Sequence, residues 1–137
     1  MFVYDMHRTA KLITSSAIVR VFVDVLKEAA HKYAFRATYC FMPDHVHLIL
    51  MSDSDDTDLL RAVERYKQGT GYWLRRHHPT IRWQKGFCDR VIRANELSTQ
   101  VHYLLDNPVR WRLVDDWRKY PFTGAIGMDL EGFLKGM

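Results

Sequence analysis

The sequence predicts an α+β fold: a ferredoxin-like split βαβ sandwich, with an antiparallel sheet, helices on one face and an added C-terminal helix that carries Tyr103. Three observations predict it. Apolar periodicity switches along the chain in the order strand, helix, strand, strand, helix, strand. The two middle strand-like runs meet at Pro43-Asp44, a pair that cannot sit inside a central strand and so marks a hairpin or tight corner. With 47% hydrophobic and 13% aromatic residues among 137, there is apolar surface enough for one core, and one domain spanning 1–137 is expected.

Each element follows from local pattern. Met1 to His7 reads as a short strand. Residues 14–33 read as a helix because Ile18, Val21, Phe22, Val25, Leu26 and Ala29 recur on one stripe, with Thr14, Ser15 or Ser16 as cap. The runs on either side of Pro43-Asp44 alternate between two faces. An acidic stretch, SDSDDTD, supplies the cap of a second helix with Leu59, Leu60, Val63 and Tyr66 inward; it ends near Gly69 or Gly71, or runs on until Pro79 stops it. The segment IRWQKGFCDRVIR suggests a loop and a fourth strand. A third helix is expected from Asn95 as cap to Asn107, where Pro108 should end it, with Leu97, Val101, Leu104 and Leu105 buried. A basic, aromatic segment and a glycine-containing tail with a short amphipathic stretch follow.

Composition excludes several classes. The apolar content argues against disorder. No apolar run approaches the roughly 18–20 residues of a membrane-spanning helix, and the N-terminus lacks a signal-peptide pattern, so no membrane partner and a cytoplasmic location are expected. Two cysteines, Cys40 and Cys88, make neither a disulfide framework nor a thiolate zinc site. Twenty Lys and Arg against 16 Asp and Glu give a formal charge of +4, which suits a polyanionic partner.

Two constellations carry chemistry. On a strand, His45, His47, Ile49 and Met51 share one face while Val46, Leu48 and Leu50 share the other. The second set is the core face, so His45 and His47 stand together on the opposite surface, where two imidazoles at i and i+2 can reach one metal ion. The bland reading of an isolated pair is two histidines tolerated on a half-exposed face. The preceding turn and the apolar run that follows fix the register, however, and with it both imidazoles. On the third helix, Glu96, Gln100, Tyr103 and Asn107 form a polar stripe apart from the buried one. A phenol with an ordinary pKa near ~10 is a poor nucleophile, so Tyr103 needs a neighbouring cation on the phosphate to act as one.

These residues and their surroundings resemble the HUH single-tyrosine transposases, the insertion-sequence-200-like family, and most closely its REP-associated tyrosine transposase branch. FMPDHVHLIL is similar to the family's His-hydrophobic-His strand, WQKGFCDRVIR to its middle segment and YLLDNPVRWRLV to its tyrosine helix; the likeness covers roughly Met1 to Trp117. The first strand is expected to begin at residue 1, and no separate DNA-binding domain is expected after the tyrosine helix. The resemblance implies a metal-dependent endonuclease and strand transferase acting on single-stranded or hairpin DNA through a 5′-phosphotyrosine. His45 and His47 then match the metal-binding histidines and Tyr103 the nucleophile. Asn107 stands where other branches carry a glutamine, which keeps an amide oxygen with shorter reach. The implied cofactor is Mg²⁺ or Mn²⁺, and both a monomer and a homodimer are compatible with the family.

For DNA contact the candidates are Arg61, Arg65, Lys67, Arg75, Arg76, Lys85, Arg90, Arg93, Arg110 and Arg112 as phosphate neighbours, with Trp83, Phe87 or Trp111 as stacking platforms. They count as a collective patch rather than singly. His77-His78, His7 and His102 are left without a role. Two other classes compete with the transposase: a non-catalytic hairpin-binding module on the same sheet, and a metal-dependent hydrolase of small phosphoesters that would not need Tyr103.

Overall fold

The computed structural model describes residues 2–7, 15–52, 58–83 and 88–136. The order is β1 (Phe2–His7), α1 (Ser16–Tyr33), β2 (Phe35–Phe41), β3 (His45–Ser52), α2 (Leu59–His77), β4 (Cys88–Val91), α3 (Leu97–Arg110), β5 (Thr123–Ile126) and α4 (Leu130–Lys135). All pairings are antiparallel and the spatial order is β4-β1-β3-β2-β5. The first four strands give the expected ferredoxin-like sheet.

Strand alternation creates two cores, one on each side of the sheet. Phe35, Ala37, Phe41, Val46, Leu48 and Leu50 point to the side where α1 and α2 lie, and pack with Ile18, Phe22, Leu26, Val63, Tyr66 and Leu74. Each fully buried Leu or Phe there contributes about 1.5–3 kcal/mol relative to exposure. Cys40, Met42 and Ile49 point the other way and pack with Val101, Leu104 and Leu105 of α3, and with Tyr120.

The hairpin expectation holds in detail: the Met42 N–H donates to the His45 carbonyl at 2.8 Å across Pro43-Asp44. That closure pairs Cys40 with His47 and Phe41 with Val46. Asp58 caps α2 by accepting from the Arg61 N–H at 3.0 Å.

Of the two ends expected for the second helix the longer is observed: it passes Gly69 and Gly71 and runs to His77, because Thr70 and Leu74 are buried and tertiary packing outweighs the glycine cost of about 1 kcal/mol each. Other expectations change. Leu60 is exposed, one position off the buried stripe, and Leu97 is only partly covered. Ser15 stands at the cap of α1 without a side-chain capping bond. Asn95 lies inside a 3₁₀ turn, Ala94–Glu96, and does not cap α3. Nor does Pro108 end α3, which continues to Arg110. The ring removes the donor that would have reached the Leu104 carbonyl, but the next turn is closed by Trp111 N–H to Asn107 O at 3.1 Å and Leu113 N–H to Pro108 O at 2.9 Å. The glycine-containing tail holds an unforeseen strand, β5, paired to β2. Phe122, Gly124 and Ile126 alternate there, and Gly124 is required because a Cβ would collide with the Tyr39 hydroxyl.

Candidate functional site

The hairpin and α3 build the candidate site between them. His45 and His47 sit on the side of β3 that α3 covers, so they are not on an open surface: their exposures are 8% and 5%. The expectation of a surface pair is corrected by the second core, which the α3 stripe Val101, Leu104 and Leu105 builds with Ile49 of the same strand face. Tyr103, on the edge of α3, remains half-exposed at 53%, and its ring centroid lies 6.0 Å from that of His47 in the same chain.

Asn107, one turn further on, is buried and points at His45. Its Nδ2 lies 3.2 Å from His45 Nε2, while His45 Nδ1 lies 2.7 Å from Asp44 Oδ1. The two bonds agree on one tautomer. A carboxylate accepts only, so Nδ1 carries the proton and donates to Asp44; Nε2 then keeps its lone pair and accepts from the amide. His45 is thus arranged with its ligating lone pair turned toward α3, on an imidazole fixed by a neighbouring carboxylate.

Arg110 ties the other side together, and it does so because α3 continues past Pro108. Its guanidinium carbon lies 3.8 Å from the centroid of the Tyr103 ring, and one terminal nitrogen donates to the Tyr103 carbonyl at 2.9 Å and to Asn107 Oδ1 at 3.2 Å. The amide oxygen of Asn107 therefore faces Arg110 and its nitrogen faces His45. To offer oxygen to a cation the amide would have to turn over. Trp111 meets His45 in a tilted ring contact, with centroids 5.7 Å apart, and is half-exposed.

Beneath the site, burial pushes the Cys40 thiol up from its ordinary 9.0 to about 11, with a hydrogen bond from Thr123 and the Arg110 charge opposing the shift. The Tyr120 hydroxyl, which donates to the Phe41 carbonyl, is also pushed up by burial.

Among the described residues no group of three or more His, Cys, Asp and Glu comes together to hold a metal. The side chains that could donate are two imidazoles and one amide, and the His45 tautomer suits them to a divalent ion that keeps water or phosphate oxygens in its other positions.

The predicted DNA-contacting residues do not form one patch. Arg61, Arg65, Lys67, Arg75 and Arg76 all lie on α2, which packs on the sheet side away from the histidines, and Trp83 packs with that same core. Arg110 and Arg112 lie at the C-terminal end of α3, beside the site, and Arg93 precedes the 3₁₀ turn that leads into that helix. Lys85 and Phe87 fall outside the described residues, and Arg90 enters only as backbone of β4. The positioning role of Asp44 and the clamp made by Arg110 were not foreseen. Their sequence signals are Asp44 next to His45, and Arg110 at i+3 from Asn107 and i+7 from Tyr103.

A ferredoxin-like sheet that sets an imidazole pair beneath a helix-borne tyrosine defines the class: an α+β domain with a histidine–tyrosine site between strand and helix. The family model described as "Transposase IS200 like" matches residues 2–107, and the chain belongs to that family. A Haemophilus influenzae protein assigned as a REP-associated tyrosine transposase is 23% identical over 129 residues, covering 85% of this chain and 72% of the relative. A solved REP-associated tyrosine transposase bound to a REP hairpin superposes with a TM-score of 0.75 at 19% identity, over 89% of this chain and 74% of that one. A Deinococcus radiodurans structure assigned as a transposase gives 0.55 at 15% identity, over 78% and 89%. Among the described residues, no helix is long and apolar enough to cross a membrane.

Proposed function

We propose that this transposase-family chain cleaves and rejoins single-stranded DNA, taken at or beside a hairpin, with Tyr103 as the nucleophile and His45 and His47 as the residues that would hold Mg²⁺ or Mn²⁺. The observation that carries the reading is the 6.0 Å approach of the Tyr103 ring to the His47 ring, in a site where His45 already presents a fixed lone pair. Asn107 would join the ion as a third ligand by turning its amide. The bound ion would supply Lewis-acid stabilisation of charge on the scissile phosphate.

The chain's own residues do the rest. Arg110 holds the Tyr103 ring over the site through its face and its carbonyl. The Tyr103 oxygen attacks phosphorus; an O–P bond forms as the P–O3′ bond breaks, and the phenolic proton is passed on to the departing 3′ oxygen. The products are a 5′-phosphotyrosine and a free 3′-hydroxyl. Attack by another 3′-hydroxyl on that ester reverses the exchange and restores the phenol. One phosphoester replaces another, so no nucleotide hydrolysis is required. Because β3 and α3 of a single chain supply the four residues, the reading does not depend on a homodimer.

The test is a gel assay with a 3′-labelled hairpin carrying a single-stranded flank, with Mg²⁺ or Mn²⁺ and with chelator, so that the label stays on the fragment joined to Tyr103. A denaturation-resistant protein–DNA adduct is expected that needs the ion and disappears in Tyr103→Phe. Hairpin binding with no adduct under any of these conditions would instead support the non-catalytic module, and ion-dependent phosphoester turnover surviving Tyr103→Phe would support the hydrolase.

A further inference from the structure

On the sheet side remote from His45 and His47, α2 and residues 81–83 enclose a groove of about 420 Å³, within the size range of small-ligand sites. Its floor is one helical stripe, Glu64, Lys67, Gly71 and Arg75, at spacings that place all four on the same face. Tyr72 flanks the floor and Arg82 and Trp83 make the far wall. The geometry points to a binding site for one unpaired nucleotide, its base lying between Tyr72 and Trp83 over Gly71 and its phosphates meeting Arg75 and Arg82.

Three features support it independently. The first is the helix's pair of glycines, each unfavourable at mid-helix. Neither is forced by a clash: a Cβ at Gly69 would meet Val25 of α1 at 3.5 Å and one at Gly71 would meet Trp83 at 3.6 Å, both ordinary contacts. Only Gly71 lines the groove, where a longer side chain would fill it. Leaving the position bare keeps the floor open.

The second is that the Trp83 wall is held in place before any ligand arrives. The Trp83 indole N–H donates to Thr70 Oγ1 at 2.8 Å, that hydroxyl donates to the Tyr66 carbonyl at 2.8 Å, and the indole packs on Phe22 with centroids 5.6 Å apart. Tyr72 is half-exposed, with its hydroxyl accepting from Arg76 at 2.9 Å. Rigid aromatic faces suit stacking with any base. The third is charge. Lys67, Arg75 and Arg82 line the groove against one acid, Glu64, and partial burial pushes the Lys67 ammonium down, a cost that an anionic ligand would relieve.

The inference rests on the single-strand reading proposed above but not on cleavage, so its test is run in chelator, where no adduct can form. Binding of fluorescein-labelled oligothymidylate to the full chain is compared for wild type, Gly71→Met and Gly69→Ala. Gly71→Met is expected to weaken binding by about tenfold, the scale of one lost base stack, while melting no lower than wild type. Gly69→Ala is expected to bind as wild type does. In parallel, an oligothymidylate carrying 5-iodouracil is photocrosslinked and mapped by mass spectrometry, with adducts expected on Tyr72 or Trp83. Unchanged affinity in Gly71→Met, or crosslinks only near α3, would overturn the site. A Tyr103 adduct that fails to form in Mg²⁺ or Mn²⁺ would overturn the cleavage mechanism alone.

Discussion

Replacing Arg110 by alanine removes three contacts at once, and their sum can be worked from the geometry. The guanidinium on the Tyr103 ring at 3.8 Å is a stacking contact on a half-exposed aromatic, worth about 0.5–1 kcal/mol. The bond to the Tyr103 carbonyl is exposed and adds little, whereas that to the partly buried Asn107 Oδ1 adds about 0.5–1.5 kcal/mol. After discounting for solvent, Arg110→Ala should cost about 1–2 kcal/mol, or roughly 3–6 °C in Tm for a domain of this size. A cation at a helix C-terminus is favourable whatever it touches, so the single variant does not isolate the stack. The assay is therefore a urea-denaturation cycle of Arg110→Ala, Tyr103→Ala and the double variant. A coupling of about 0.5–1 kcal/mol is expected. Strict additivity, or an Arg110→Ala protein within about 0.3 kcal/mol of wild type, would refute the clamp. Arg110→Lys keeps charge but not the planar fork, and should recover less than half of the loss.

Two further outcomes follow from groups around the site. Asp44→Ala takes away the partner that fixes the His45 tautomer, and calorimetric titration with Mn²⁺ should show affinity lowered by about 10–100-fold with the melting temperature nearly unchanged; equal affinity would show that Asp44 does not orient the ring. The Cys40 thiol has its pKa raised on folding from 9.0 to about 11, so the folded state holds its proton more tightly than the unfolded chain. Its contribution is complete below pH 9.0 and is lost as pH rises through about 11. Stability should fall over that window and fall less in Cys40→Ala, measured by denaturation at stepped pH.

Much of the sheet was legible because alternation on a strand is a geometric necessity: once Pro43-Asp44 fixes the turn, the register follows. The same alternation placed His45 opposite Val46 correctly yet put it on an open surface, since nothing in a strand's own pattern says that a later helix will cover its other face. The α3 stripe was readable, but its length was not. Pro108 normally ends a helix, and here a buried turn and two carbonyl acceptors carry the chain past it. That misreading hid Arg110, whose contact with Tyr103 exists only if the helix continues. Gly69 and Gly71 left the end of α2 open between two positions, because propensity is local and the packing of Thr70 and Leu74 is not. The strand at residues 123–126 is only four residues long, too brief for periodicity to separate it from loop.

Adding that last strand has an effect on how the protein meets its neighbours in solution. It moves β2 inward, so that among the described residues the sheet ends on two segments of four residues each. Unsatisfied amide and carbonyl rows are templates for intermolecular strand addition, and their hazard grows with length. By capping the seven-residue β2 with so short a border, the fold keeps its longest hydrophobic strands out of reach of cross-chain β-aggregation.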